Sequence, residues 1–351
     1  MEATATKYTE LYSTTPAPGA PIPVPLCCWW RVRNDAPQAE EIARHVRKLK
    51  TKKAPGASGI RPEDMRHWLE LYKAGDNRRP FRLLTEIVQS AFLMGQLPQA
   101  LSVAILVLLP KPGNGDFRGI GLLESIWKLV SSIIDSRLKG VLEFDNAIHG
   151  FRQERGTRIA VLRNKLSMQL SVRRKDTVVQ IYLDLTKAYN TLDRACTLAI
   201  LQGYNVGNNV IRILETFWMR HKAVPRASGY YGWVIKATRR VTQGNIVSPL
   251  IFNMVVDCIL KAWKLEFAGM AAQVDAMFYA DNSELLSEST TALQAALEHF
   301  SDYFANVGLR MNVDKTKSLV LDPGPIQLGM SSPAFLHTKI ATGHWVLKMS
   351  D

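Results

Sequence analysis

MFYADNSELL, Met277–Leu286, decides the reading of this chain. An apolar run closes at Ala280, a lone carboxylate follows at Asp281, and an amide stands beside it at Asn282. Polar and apolar residues then alternate outward again. Two apolar arms around an Asp-Asn pair predict a β-hairpin with Asp281 and Asn282 at its tip, because both side chains tolerate the positive φ of tight turns. Such a tip is either an ordinary turn or half of a metal site with one ligand changed.

The flanks extend the pattern. Thr291–Val307 places Leu293, Leu297, Phe300 and Phe304 on one helical face. Gly308 suits a left-handed cap, and Leu309–Val313 reads as a returning strand. Upstream, Leu250–Trp263 has the apolar density of a buried helix, Val234–Thr238 is extended, Leu192–Leu201 is helical, and Val178–Leu183 is a strand ending in Asp184. This order predicts an α+β fold on a split βαβ antiparallel sheet with helices on one face. If the Asp184 strand and the hairpin both lie centrally in that sheet, Asp184 and Asp281 become neighbours. Paired carboxylates repel unless a cation neutralises them, and such a pair can hold two Mg2+ ions about 3.5 to 4 Å apart. Either aspartate alone would be an ordinary strand-end residue.

Composition bounds the class. With 351 residues, 47% of them hydrophobic, the chain can bury a large core, and two closely packed domains are expected. A net charge of +13 favours a polyanionic partner such as nucleic acid, the plain alternative being a basic enzyme without one. Cys27, Cys28, Cys196 and Cys258 have no CxxC spacing, so neither a zinc site nor a disulfide framework is indicated. MEATATKYTE lacks a signal region, and the apolar run Val103–Leu109 is too short to cross a bilayer. The expectation is an intracellular protein, nuclear or cytoplasmic, with no membrane contact.

The first half is basic and loop-rich. Residues 14–30 are too proline-rich for a helix and read as an extended leader. Ala39–Leu49 is helical. Lys50, Lys52 and Lys53 then run into a loop with Gly56 and Gly59, and a new helix starts near Pro62. Basic residues beside loop amides suit phosphate, although a solvated lysine cluster looks the same in sequence. Residues 101–123 give a β-run, a turn flanked by Lys111 and Arg118, and a second extended arm, and from Glu124 the pattern is helical. Arg152, Arg155, Arg158 and Arg163 follow closely, a run that in isolation reads as a solvated helix face.

Taken in order, these stretches resemble the reverse transcriptases, in particular those of LINE-like (non-LTR) retrotransposons. From about Lys50 to about Leu321, KAPGASGI, LPKPGNGDFRGIGLL, HGFRQERGT, IYLDLTKAYNTLDR, TRRVTQGNIVSPLIFN, FYADN and GLRMNVDKTK follow the family's motif order. The resemblance implies a fingers-and-palm RNA-directed DNA polymerase using two Mg2+ ions, or Mn2+ in their place. Asp184 and Asp281 would hold the metals with the Leu185 carbonyl and Asn282, and Tyr189 would be the gate that excludes a sugar 2′-hydroxyl. Lys111 and Arg118 would grip the incoming dNTP, and Gln243 and Gly244 would position nucleotide and template. Ser248 and Pro249 would shape the helix that follows. Lys315 would act as general acid for the leaving group, and Lys53, Arg152, Arg155 and Arg158 would contact RNA template and DNA primer.

The same resemblance marks departures. Asn282 stands where the family usually has a second aspartate, Asn190 and Asn245 also replace expected aspartates, and Arg240 replaces a glycine. Each change is one G-to-A transition away, a pattern that suits decay of an element copy. The alternatives are therefore an inactive remnant that only binds nucleic acid, and an RNA-directed RNA polymerase sharing the palm. An intron maturase is disfavoured, because nothing after GLRMNVDKTK resembles its RNA-binding segment. The expected organisation is a leader at 1–38, a fingers-like part with the start of the palm at 39–175, a palm at 176–322, and a tail at 323–351 without a complete thumb.

Overall fold

The computed structural model describes residues 32–75, 79–110, 117–152, 155–174, 176–186, 188–227, 230–236, 245–321, 335–339 and 345–349. In chain order the first elements are α1 (Ala39–Lys48), α2 (Pro62–Lys73), α3 (Pro80–Met94), β1 (Val103–Pro110), β2 (Phe117–Leu122), α4 (Ser125–Lys139) and α5 (Thr157–Arg174). Next come β3 (Val178–Asp184), α6 (Ala188–Thr191), α7 (Arg194–Gly203), α8 (Asn208–Arg220), β4 (Lys222–Ala227), β5 (Tyr230–Tyr231) and β6 (Ile235–Lys236). The chain continues with α9 (Ser248–Glu266), α10 (Ala268–Ala271), β7 (Asp275–Tyr279), β8 (Asn282–Ser287), α11 (Thr290–Asn306), β9 (Lys317–Leu321), β10 (Phe335–Lys339) and β11 (Trp345–Met349). Two compact units interleave along the chain rather than following one another. One contains the described residues of Leu26–Glu143 and Leu192–Ile251, the other those of Phe144–Thr191 and Phe252–Asp351.

The first unit sets a mixed sheet, ordered β2-β1-β4-β5 with β6 also on β4, beside a helical core. β1 pairs antiparallel with β2 and parallel with β4. Its core centres on α4, where Leu129, Val130, Ile133 and Ile134 are fully buried and Trp127 stacks on Phe217 at 3.7 Å. Arg137 is buried with them. It forks onto Glu41 at 2.9 and 2.8 Å and donates to the Asp35 carbonyl at 2.7 Å, so the charge enters the core fully partnered.

The second unit is built on an antiparallel sheet ordered β7-β8-β3-β9. Alternation gives it two chemically distinct faces. Val179, Ile181, Leu183, Ala276, Phe278, Leu285 and Val320 share one face through their pairings, and α11 covers it, with Phe300 edge-on to Phe278. The other face carries Gln180, Tyr182, Asp184, Asn282, Glu284 and Lys317. There Asn164 of α5 donates to Glu284 at 2.7 Å, and Gln180 also donates to Glu284. Burial raises the Glu284 carboxyl above the ordinary range. α11 starts on a Ser289 cap and closes at Gly308, whose φ of +81° is the left-handed conformation expected there.

Two local expectations are corrected. Tyr279 pairs with Asn282, so the hairpin loop is Ala280-Asp281, not Asp281-Asn282. The ladder to β3 extends to Asp184↔Asn282, which draws Asn282 out of the turn and leaves Ala280 to take the positive φ, +54°. Second, Leu309–Val313 is not a strand. Only Met311 bridges, to Leu185, and Thr316 then bonds back to Asn312 through both its amide, at 2.9 Å, and its hydroxyl, at 2.7 Å. That turn delays the return strand to Lys317.

Candidate active site

β3, which ends in Asp184, and β8, which the Asp281 loop enters, are the central pair of the second unit's sheet. Asp184 ends β3 directly opposite Asn282, and Asp281 precedes Asn282 in the loop. Directly opposed residues have Cα atoms roughly 4.5 to 5.5 Å apart, so both carboxylates lie at one end of the sheet. Asp184 is partly buried and Lys315 Nζ stands 3.5 Å from its Oδ2. The Asn312–Thr316 turn delivers that lysine, and two backbone bonds anchor the turn: Asn312 N–H to the Asp184 carbonyl at 2.7 Å, and Thr186 N–H to the Arg310 carbonyl at 2.8 Å. Because these bonds come from the residues flanking Leu185, the Leu185 carbonyl itself faces away from the Met311 segment.

Tyr189, in the one-turn helix α6, sits beside this pair. Its ring packs on Phe252 at 5.1 Å, and its hydroxyl is buried without a hydrogen-bond partner among the described residues. Burial, and then the nearby Asp281 carboxylate, push the hydroxyl's pKa well above the ordinary tyrosine value. The ring is therefore a neutral, packed wall near Asp281.

A hard cation prefers oxygen donors, and the two carboxylates, the Leu185 carbonyl and the Asn282 amide oxygen provide them. Among the described residues no group of three or more His, Cys, Asp or Glu side chains gathers anywhere, so the donor set is short by one charge relative to an Asp-Asp tip. These oxygen donors are of the kind a hard divalent cation accepts.

Other expected site residues fall elsewhere. Lys111, Gln243 and Gly244 lie outside the described residues, as do the side chains of Arg118 and Asn190; Arg118 belongs to β2 by its backbone. Lys53 and Arg158 are exposed. Arg152 donates to the carbonyls of Asp145 and Ile148 at 2.8 and 3.0 Å, and Arg155 binds the carbonyl and side-chain oxygen of Asn146 at 2.7 Å each. Both guanidiniums thus brace the turn before β-bridge residue Ile148. Asn245 is 3% exposed, with neither amide atom partnered among the described residues.

The family described as reverse transcriptase (RNA-dependent DNA polymerase) matches residues 109–339. The chain belongs to this family. It is 24% identical over 280 residues to the Pol polyprotein of the type-2 retrotransposable element R2DM of Drosophila melanogaster, covering 78% of this chain and 25% of that protein. It is 25% identical over 286 residues to the RNA-directed DNA polymerase from the mobile element jockey of Drosophila funebris, covering 78% and 30%. The chain thus spans a quarter to a third of the length of these relatives. A telomerase structure from Candida tropicalis aligns at 13% identity with a TM-score of 0.49, over 68% of this chain and 43% of that one.

Two residues that motif reading alone does not single out stand next to the hairpin. Gly150 abuts the hairpin: a Cβ there would lie 2.7 Å from the Ala280 backbone nitrogen. Asn253 is buried in α9 and donates to the Gly150 carbonyl at 2.6 Å. Both stand inside motifs, in HGFRQERGT and at the end of TRRVTQGNIVSPLIFN, but only proximity in space relates them to Asp281.

Proposed function

We propose that this chain is an RNA-directed DNA polymerase, joining a primer 3′-hydroxyl to the α-phosphate of a dNTP along an RNA template. One observation carries the reading: Asp184 and Asp281 lie at the same end of two central antiparallel strands, with Lys315 near Asp184 and the Tyr189 ring near Asp281. Asp184, Asp281, the Leu185 carbonyl and Asn282 would hold divalent ions. Two bound Mg2+ ions, or Mn2+ in their place, supply a more acidic attacking hydroxyl and charge stabilisation on the leaving oxygen. Lys315 would carry a proton at Nζ for the departing pyrophosphate. The Tyr189 ring, packed on Phe252, would bar a 2′-hydroxyl. Lys53 and Arg158 are free to meet template phosphates, while Arg152 and Arg155 act through the turn they brace. Residues 39–175 would serve as fingers with the start of the palm, and 176–322 as palm.

Asn282 favours a second reading, a remnant that binds nucleic acid without copying it. Primer extension on poly(A)/oligo(dT) decides. The native chain is expected to extend slowly, Asn282→Asp to raise the rate about 10- to 100-fold, and Asp281→Ala to abolish extension. Extension only after the Asn282→Asp change would make the native chain a binder. Extension that survives Asp281→Ala would sink the assignment.

A further inference from the structure

Ala280 holds a positive φ, uncommon for a non-glycine residue. The two-residue loop calls for it, and a segment of HGFRQERGT packs against that loop. Ile148 forms a parallel bridge to Phe278, with Phe278 N–H donating to the Ala147 carbonyl and His149 N–H to the Phe278 carbonyl, each at 2.8 Å. The segment thus lies along β7 as a short additional strand, and its last residue, Gly150, sits against the Ala280 amide with no room for a side chain. Two α9 residues fix this segment from behind. Asp257, fully buried and paired with Lys261 at 2.6 Å, accepts the Asp145 N–H at 2.7 Å, and Asn253 donates to the Gly150 carbonyl at 2.6 Å. Lys264 closes the other end on Asp145 at 2.5 Å.

We propose that Asn253 is a positioning residue for the hairpin carboxylate: through Gly150 it presses Ala280 into the left-handed conformation that aims Asp281 at Asp184. Asn253 touches neither aspartate. Its side-chain amide holds the carbonyl of the residue that touches the loop, so its loss frees Gly150 to withdraw, Ala280 relaxes toward negative φ, and Asp281 turns. The inference rests on the polymerase reading of Asp281 for its consequence, though not for its mechanics.

Two measurements on the full chain separate these. Amide hydrogen exchange at Phe278 and His149 reads the segment's hold on the hairpin, and Mn2+ titration followed by electron paramagnetic resonance reads the aim of Asp281. Asn253→Ala is expected to speed that exchange and weaken Mn2+ binding, each at least tenfold. Gly150→Ala, with Asn253 intact, is expected to weaken Mn2+ binding alike. Met254→Ala, an equally buried truncation one residue along α9, is expected to lower Tm while changing neither. Unaltered exchange in Asn253→Ala, or equal losses in Met254→Ala, would overturn the positioning role. A polymerase misreading looks different: Asp281→Ala would bind Mn2+ as well as the native chain, and the exchange result would still decide what Asn253 does.

Discussion

Tyr189 condenses the chemistry of the site into one side chain. Its hydroxyl is buried without a partner among the described residues, and its ring is fixed by Phe252. A buried unpaired hydroxyl costs about 1 to 3 kcal/mol, so the ring and not the hydroxyl is what the position keeps. Tyr189→Phe should therefore leave dNTP-over-rNTP selectivity unchanged and the fold no less stable, whereas Tyr189→Ala should cut that selectivity by about 10- to 100-fold, on the scale of other pocket-shape discriminations. Steady-state extension with each nucleotide type is the check, and a native preference for rNTPs would remove the gate role. At this scale the sequence was informative about position and poor about register. Asp184 and Asp281 were legible because strand ends and turn residues have clear signatures. The loop Ala280-Asp281 was not, because local preference puts Asn, not Ala, at positive φ; the ladder to β3 and the crowding by Gly150 override it.

Among the elements, the loop before α2 shows how a motif can be visible while its anchor is not. KAPGASGI reads as a basic, glycine-containing loop. What holds it is Glu124, 1% exposed at the start of α4, whose carboxylate accepts the Ser58 N–H at 2.8 Å and the Ser58 hydroxyl at 2.5 Å. Gly56 is forced by the same contact, since a Cβ there would sit 2.8 Å from the Glu124 backbone. Glu124→Ala leaves the Ser58 donors without their acceptor and should cost about 1 to 3 kcal/mol. Glu124→Gln, which keeps an acceptor oxygen, should cost less. Denaturant unfolding of both variants is the measurement, with hydrogen exchange at Ser58 as the local readout; equal stability of all three chains would deny the anchor. The helices that were read, α1, α4, α7, α9 and α11, fall within a few residues of their bounds because apolar periodicity and caps are local, whereas α3 and α8 were not singled out. β4 went unrecognised for the opposite reason: Lys222–Ala227 is a strand only because β1 lies parallel to it, a pairing no local pattern encodes.

For the molecule as a whole, acid sensitivity follows from histidines that are held neutral. Burial, reinforced by Lys48, pushes His45 down to about 4, and burial, reinforced by Arg163, pushes His149 down to about 4. One lies in each compact unit. Unfolded histidine titrates near 6.5. Below that pH the unfolded chain takes up protons that the folded one refuses, so the contribution to stability is complete above about pH 6.5 and is lost as pH falls toward 4. Glu284 and Asp135, raised by burial, act in the opposite sense and soften the fall. Glu41, lowered by Arg137, adds to the loss only as it protonates in stronger acid. Tm should therefore decline steadily from pH 7 to pH 4.5. His45 accepts or donates a single hydrogen bond with Ser132 at 2.8 Å, which glutamine can keep, and His149 faces Arg163 at 3.2 Å, where a glutamine oxygen can still accept. A chain carrying His45→Gln and His149→Gln should thus fold at pH 7 and show a visibly flatter Tm-versus-pH curve over the same range; an unchanged slope would place the acid sensitivity in the carboxylates instead.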